Sequence, residues 1–202
     1  MNCKEYDNDN NRIQTEEGGD NPKKYPNAIL ADVTSRATGA LVKLSPFYPH
    51  YGIPVPFSPG YTATCVEAVW QGLKVFEHQG IDISMFQNDT MHNLKRTVRK
   101  YGKPLGHQKG VNSTELLGYI EARKQIYIHT YRWVLENKVY DIIKSLREAS
   151  KTKTIILLDY DTNADVDDPK RPLSHASLIK AYVEGIYPYG DKENLSQQQT
   201  LF

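Results

Sequence analysis

Apolar and polar positions along this chain alternate in two rhythms, and the change from one to the other predicts its elements. Across residues 61–78, Val66, Val69, Trp70, Leu73 and Phe76 recur at three- and four-residue steps, which predicts a helix with one buried face. Met91, Leu94 and Val98 predict a second helix over residues 89–100. Asn112, Ser113 and Thr114 offer a cap for a longer run, where Leu116, Leu117, Ile120, Tyr127, Tyr131, Val134 and Leu135 are spaced for burial. A break near Asn137 separates it from a helical stretch over residues 139–149, and a last helix spans residues 174–184, with Gly185 as its stop.

Residues 154–158, TIILL, read as a short buried strand, and residues 28–33 and 40–44 read as edge strands or a hairpin. Residues 46–59 hold five prolines and predict a stiff surface loop, with Phe47, Tyr48, Tyr51 and Phe57 as aromatics at hand for a pocket mouth. Residues 1–27 lack apolar periodicity and are expected to be a disordered arm; residues 188–202 read as a flexible tail. Strands first, helices next and a late strand predict the α+β class: a single helix-rich domain over residues 28–187 with a small β-sheet.

Composition narrows the picture without choosing a function. The chain has 202 residues, 39% hydrophobic and 24% charged, ordinary for one globular domain with a full core. A net charge of +1 confines any polyanion binding to a local patch. No apolar run is long enough for a membrane span, no signal pattern opens the chain, and two cysteines make no disulfide framework, so a cytoplasmic location without membrane contact is expected. Cys65 reads as a small core filler, because no histidine stands near it in sequence to act as its base.

Three stretches carry candidate chemistry. Glu67, Gln71 and Lys74 would stack in one polar row beside Trp70 on the predicted helix, a carboxylate, an amide and an ammonium next to an aromatic wall. The same Glu67 completes Thr64-x-x-Glu67, a capping box in which it would bond back to its own helix start, and spacing leaves both uses open. From Lys95 to Lys109 there are six lysines and arginines and no acid, Arg99 among them; the segment suits phosphate or nucleic acid, or a solvated face. The predicted strand runs into Asp159, Asp161, Asn163, Asp165, Asp167 and Asp168, an acidic strand end that suits chemistry or a plain helix-capping turn. Its resemblance to a calcium loop fails where Ala164 replaces the turn glycine and Lys170 the bidentate glutamate, so no metal and no cofactor are expected. Arg123 and Arg132 either snorkel outward or meet an anion, and His175 beside the last cap is a packing histidine or a site residue.

Leu44-Ser45-Pro46-Phe47-Tyr48-Pro49, followed after a loop by Glu67-x3-Gln71-x2-Lys74-x-Phe76, resembles the signature of the NADAR superfamily of N-glycosidases. Those enzymes are related to a riboflavin-pathway damage-control enzyme and to domains that remove ADP-ribose from guanine. Ala68 stands where that family often has histidine, and its Trp ahead of the Lys-Phe helix and its late Trp-Gly pair have no counterpart here. Residues 28–187 also look like a narrower bacterial and phage family known only as a domain of unknown function, through residues 52–60, 70–77, 131–138 and 171–176.

The resemblance implies an N-glycosyl hydrolase acting on an N-ribosyl or ADP-ribosyl nucleobase, with Glu67 as base or cation stabiliser and Gln71 and Lys74 positioning it or the substrate. Cleavage through a sugar cation calls for a second acid, for which Asp159 and Asp161 are the candidates. Phe47, Trp70 and Tyr127 are candidates to stack on the base, and Arg99 and Arg123 to meet phosphate. The partners expected are a small-molecule nucleotide or an ADP-ribosylated nucleobase, with nucleic acid reached through the basic segment. The alternatives are a non-catalytic reader of ADP-ribose, nucleotide or modified nucleic acid, and an interaction module that docks through its two tails.

Overall fold

A computed structural model describes residues 13–17 and 25–188. In chain order its elements are β1 (Ile13–Glu17), β2 (Ile29–Asp32), a 3-10 turn (Gly39–Leu44), β3 (Ile53–Pro54), β4 (Thr62–Ala63), α1 (Val66–Gly72) and β5 (Lys74–Phe76). A second 3-10 turn (Ile83–Gln87), α2 (Val98–Tyr101), β6 (Pro104–Gln108), β7 (Leu116–Leu117) and α3 (Tyr119–Ala122) follow. A π-helical turn (Arg123–Ile128), α4 (His129–Asn137), α5 (Tyr140–Ser150), β8 (Ile155–Asp159) and α6 (His175–Glu184) complete the chain.

Together they make one mixed α/β domain with small sheets. Strand β8 is the centre of a parallel three-stranded sheet in the order β1-β8-β2, with Ile13 and Ile29 both level with Ile155. All five residues of β8 are buried, as an apolar strand flanked on both edges and both faces requires. Helices α4, α5 and α6 contribute Tyr131, Val134, Ile143, Leu178 and Ile179 to the core on this sheet. A second core gathers Val69 and Leu73 with Phe86, Leu94 and Ile126, beside the antiparallel sheet β5-β6-β7. No described helix is long and apolar enough to cross a membrane.

Five expectations change. Leu116 and Leu117, expected within the long helix, pair with β6 as β7 instead, and the helix starts only at Tyr119 after Gly118. Residues 13–17 are not part of a disordered arm: Ile13 is buried and the polar strand pairs along β8, whose open edge supplies its hydrogen bonds. The rest of the predicted arm, residues 1–12 and 18–24, and the tail from residue 189 lie outside the described residues.

Residues 40–44 form a 3-10 turn rather than a strand, anchored by the Tyr131 hydroxyl donating to the Leu44 carbonyl. The helix predicted over residues 61–78 is α1 alone. It stops at Gly72, where an added Cβ would lie 2.3 Å from the Phe86 ring, and Lys74–Phe76 turns into a strand against β6. The helix predicted over residues 89–100 is only α2, because Asn88 and Thr90 bond the local backbone and Met91 and Asn93 adopt left-handed φ.

The break beyond Asn137 falls between α4 and α5, and α6 starts at a Ser174 cap and ends at a left-handed Gly185, as the pattern predicts. The π-helical turn leaves no mark in the apolar spacing.

Candidate functional site

Between the two cores lies a cavity of about 380 Å³. Helix α1 brings Glu67, Trp70 and Gln71 to it, β5 brings Lys74, and the irregular segment before α2 brings Lys95 and Arg96. The π-helical turn brings Arg123 and Tyr127, and the end of β8 with the start of α6 brings Asp159, Asp161, Ser174 and His175. Twelve positions therefore meet from five separate stretches of chain.

Glu67 is 7% exposed and does not cap its helix. That role falls to Cys65, whose Sγ accepts from the Ala68 amide at 3.3 Å. One carboxylate oxygen of Glu67 accepts from Gln71 Nε2 at 2.9 Å; the other makes no hydrogen bond among the described residues. Gln71 cannot turn its amide round, because its Oε1 accepts from the Arg96 amide at 3.1 Å. Burial pushes the Glu67 carboxyl above the usual range, although the Gln71 hydrogen bond and the charges of Lys95 and Lys74 pull it down.

Lys74 is half-buried and makes no ion pair among the described residues; its ammonium lies 5.3 Å from the Phe76 ring centre. Burial lowers its pKa, helped by the nearby charges of Arg96 and Lys95 and opposed by Glu67. Lys95 reaches over the Phe47 ring at 5.9 Å.

Asp159 is 3% exposed and surrounded by donors. Its Oδ1 accepts from the Tyr160 amide at 2.7 Å, and its Oδ2 accepts from Ser174 Oγ at 2.7 Å and the Ala176 amide at 3.3 Å. His175 Nδ1 stands 3.0 Å from the same oxygen, while its Nε2 donates to the Val33 carbonyl at 2.7 Å. Burial alone would raise the Asp159 carboxyl, but the hydrogen bonds and charge from His175, then Ser174 and the Tyr160 amide, hold it below the usual range. Asp161 is tied to Arg171, which also pairs with Glu17 of β1.

The aromatic wall is ordered from behind. Trp70 packs on His107 with ring centres 3.7 Å apart, and Tyr119 and Tyr127 meet it edge-on at 6.0 and 5.7 Å. His107 is buried with neither ring nitrogen partnered, and burial, then Lys74, takes its pKa down to about 3, so the ring is a neutral platform. The Tyr127 pKa is raised well above the ordinary value by burial and then by the charges of Glu67 and Asp159, so its hydroxyl stays protonated. A π-helical turn is a rare element, and this one sets the side chains of Arg123 and Tyr127 against the cavity.

Of the residues singled out from the sequence, Glu67, Asp159, Asp161, Phe47, Trp70, Gln71, Lys74, Arg123 and Tyr127 all line this cavity. Arg99 does not; it is exposed on α2. Arg123 lines the cavity but spends its terminal nitrogens elsewhere. They donate to the carbonyls of Asp165, Val166, Asp168 and Arg171 and to the Tyr119 hydroxyl, which orders the aspartate loop and leaves little for a phosphate. Arg96 and Ser174 were not marked as site residues by sequence. Ser174 is visible only as a cap, and Arg96 only as one member of the basic segment from Lys95 to Lys109, since its partners lie 16 to 25 positions away. Cys65, pushed up to about 11 by burial, is an unreactive core thiol, as its surroundings in sequence suggest. No group of three or more metal-ligating side chains occurs among the described residues.

Comparison with curated proteins returns no match. A model described as a family of unknown function, DUF6939, matches residues 16–179, so the chain belongs to the DUF6939 family.

Proposed function

We propose that the cavity binds an N-ribosyl or ADP-ribosyl nucleobase and hydrolyses its N-glycosidic bond. The observation that carries this reading is Glu67: a buried carboxylate with one oxygen fixed by Gln71, the other unbonded, and a raised pKa, on the wall of a cavity. The residues around it match what the reaction asks for. Trp70 offers a stacking face for a base, Lys74 and Lys95 offer positive charge for phosphate, and Tyr127 offers a neutral donor. The likeness of Glu67-x3-Gln71-x2-Lys74 to the NADAR pattern points the same way, and a NADAR-like fold is part of the proposal.

In this mechanism the bond from the anomeric carbon to the base nitrogen breaks, and its electron pair leaves with the base, which takes a proton from solvent. Water adds to the sugar cation as Glu67 removes its proton. Asp159 already accepts from four neighbours, so its part is to hold β8 and α6 around the sugar; Glu67 does the proton transfer. The test is incubation with ADP-ribosylated guanosine and with ADP-ribosylated DNA, followed by mass analysis. Free ADP-ribose, with guanosine from the nucleoside and unmodified DNA from the polymer, is the expected product. An intact ligand that remains bound makes the protein a reader instead, and no binding at all removes both.

A second reading of Lys74 has its own observation: a half-buried amine without an ion-pair partner and with a lowered pKa. As a free amine it would attack the anomeric carbon, expel the base and open the sugar to an imine that water then hydrolyses. Borohydride during turnover would reduce the C=N bond and leave a sugar adduct on Lys74. The absence of any adduct returns Lys74 to charge stabilisation.

A further inference from the structure

Arg96 sits at the crossing of every polar contact that shapes the Glu67 side of the cavity. It is 6% exposed, unusual for an arginine, and among the described residues its charge is not met by a carboxylate. Its guanidinium donates instead to three backbone carbonyls: Gln71 at 3.2 Å, Lys74 at 2.6 Å and Gly80 at 2.8 Å. These three mark the end of α1, the start of β5 and the turn beyond it. The guanidinium also lies beside the paired rings of Phe76 and Tyr101, 4.9 Å from each centre. The Arg96 amide meanwhile holds the Gln71 side chain, which in turn holds Glu67.

The segment that delivers Arg96 is itself held in a costly conformation. Met91 and Asn93 both have φ near +57°, at 59° and 56°, which L-residues adopt at a cost of about 1 kcal/mol or more each. Only buried Leu94 and Arg96 pin the stretch to the domain between Thr90 and Thr97. A backbone held against its preference just before a buried arginine, whose terminal nitrogens are engaged while its Nε is left without a partner among the described residues, is characteristic of a site whose geometry matters. An arginine used solely to close a turn would need neither the buried cation nor the amide grip on Gln71.

We propose that Arg96 is the positioning residue of this site: it holds Gln71, and through it Glu67, in register with Lys74, and it supplies the fixed positive charge behind Lys74. This rests on the reading of the cavity as a reactive centre, but it can be tested without turnover. The charged and titratable groups facing Lys74 are Glu67 from α1, Arg96 and Lys95 from the strained segment, and His107 from β6. Of these, Arg96 is the one anchored against the backbone of Lys74 itself.

The experiment is competitive acetylation with acetic anhydride over a range of pH. Lys74 is followed by peptide mass analysis, with the exposed Lys153 as internal reference. In Arg96→Met and Arg96→Gln the relative rate at Lys74 near neutral pH is expected to fall about threefold or more, as the amine holds its proton to higher pH. Arg96→Lys, which keeps the cation, should restore it. If a charge-free variant that folds labels Lys74 as the wild type does, the proposal is overturned and Arg96 is only a turn fastener. Arg96→Gln serves where Arg96→Met does not fold, as the shorter and more polar of the two charge-free side chains. ADP-ribose release from ADP-ribosylated guanosine is measured separately, so a negative result there rejects the glycosidase reading and leaves the labelling result standing.

Discussion

Two buried carboxylates line the same cavity and have been given opposite characters by their neighbours. Glu67 and Asp159 are 7% and 3% exposed, so burial does not separate them. Donors do. Asp159 faces two backbone amides, a serine hydroxyl and a histidine, and is held ionised below the usual range. Glu67 has one side-chain amide and the charges of Lys95 and Lys74 without a salt bridge among the described residues, and burial wins. A carboxylate that is saturated with hydrogen bonds is a structural anchor, whereas one left short of them is free to take and return a proton. The cavity thus has a donor-rich side at β8 and α6 and a donor-poor side at α1 and β5.

The sharpest way to break this contrast is Glu67→Gln. It keeps the shape and the Gln71 contact, and base release should fall at least about 100-fold while ADP-ribose binding and folding are retained. Turnover equal to wild type would move the chemistry away from Glu67.

Asp159→Asn should do the reverse, with its main effect on stability. Breaking the buried pair with His175 should cost about 3 kcal/mol in urea unfolding, against less than about 1 kcal/mol for Glu67→Gln. Equal losses would erase the distinction between anchor and base.

The pH dependence of stability separates them again, because the two signs differ. Asp159 has a folded value below its unfolded one, so its contribution is present above the unfolded value of 3.8 and disappears as pH falls through the lower folded value. Glu67 has a folded value above its unfolded one of 4.5, so stability falls as pH rises from there through the folded value. Urea midpoints between pH 3 and pH 8 should therefore show a decline on the alkaline side that Glu67→Gln removes and Asp159→Asn leaves. The smallest effect belongs to Arg99→Ala, which should change ADP-ribose affinity by less than about twofold, since Arg99 stands outside the cavity.

Much of the site was legible before any coordinates, and the reason is chemical. Glu67, Gln71, Trp70 and Lys74 are close in sequence, so local spacing brought them together even though the helix that was to carry all four ends at Gly72. Lys74 keeps its place because β5 turns its side chain to the same cavity by a different route. The acids after β8 were visible as a strand end, but their roles were not, because the donors that saturate Asp159 come from α6 and from the adjoining backbone.

The sequence by itself determined the class of the fold, the buried β8, the last helix with its two caps, and the short list of side chains with reactive chemistry. Each of these depends on neighbours within a few positions, where periodicity and capping preferences act. The tertiary structure alone decided that residues 13–17 would be a strand, that Arg96 would grip three carbonyls, and which carboxylate would be left short of donors. Those outcomes hang on partners far along the chain, and hydrogen-bond saturation is a property of the folded neighbourhood that no local pattern encodes.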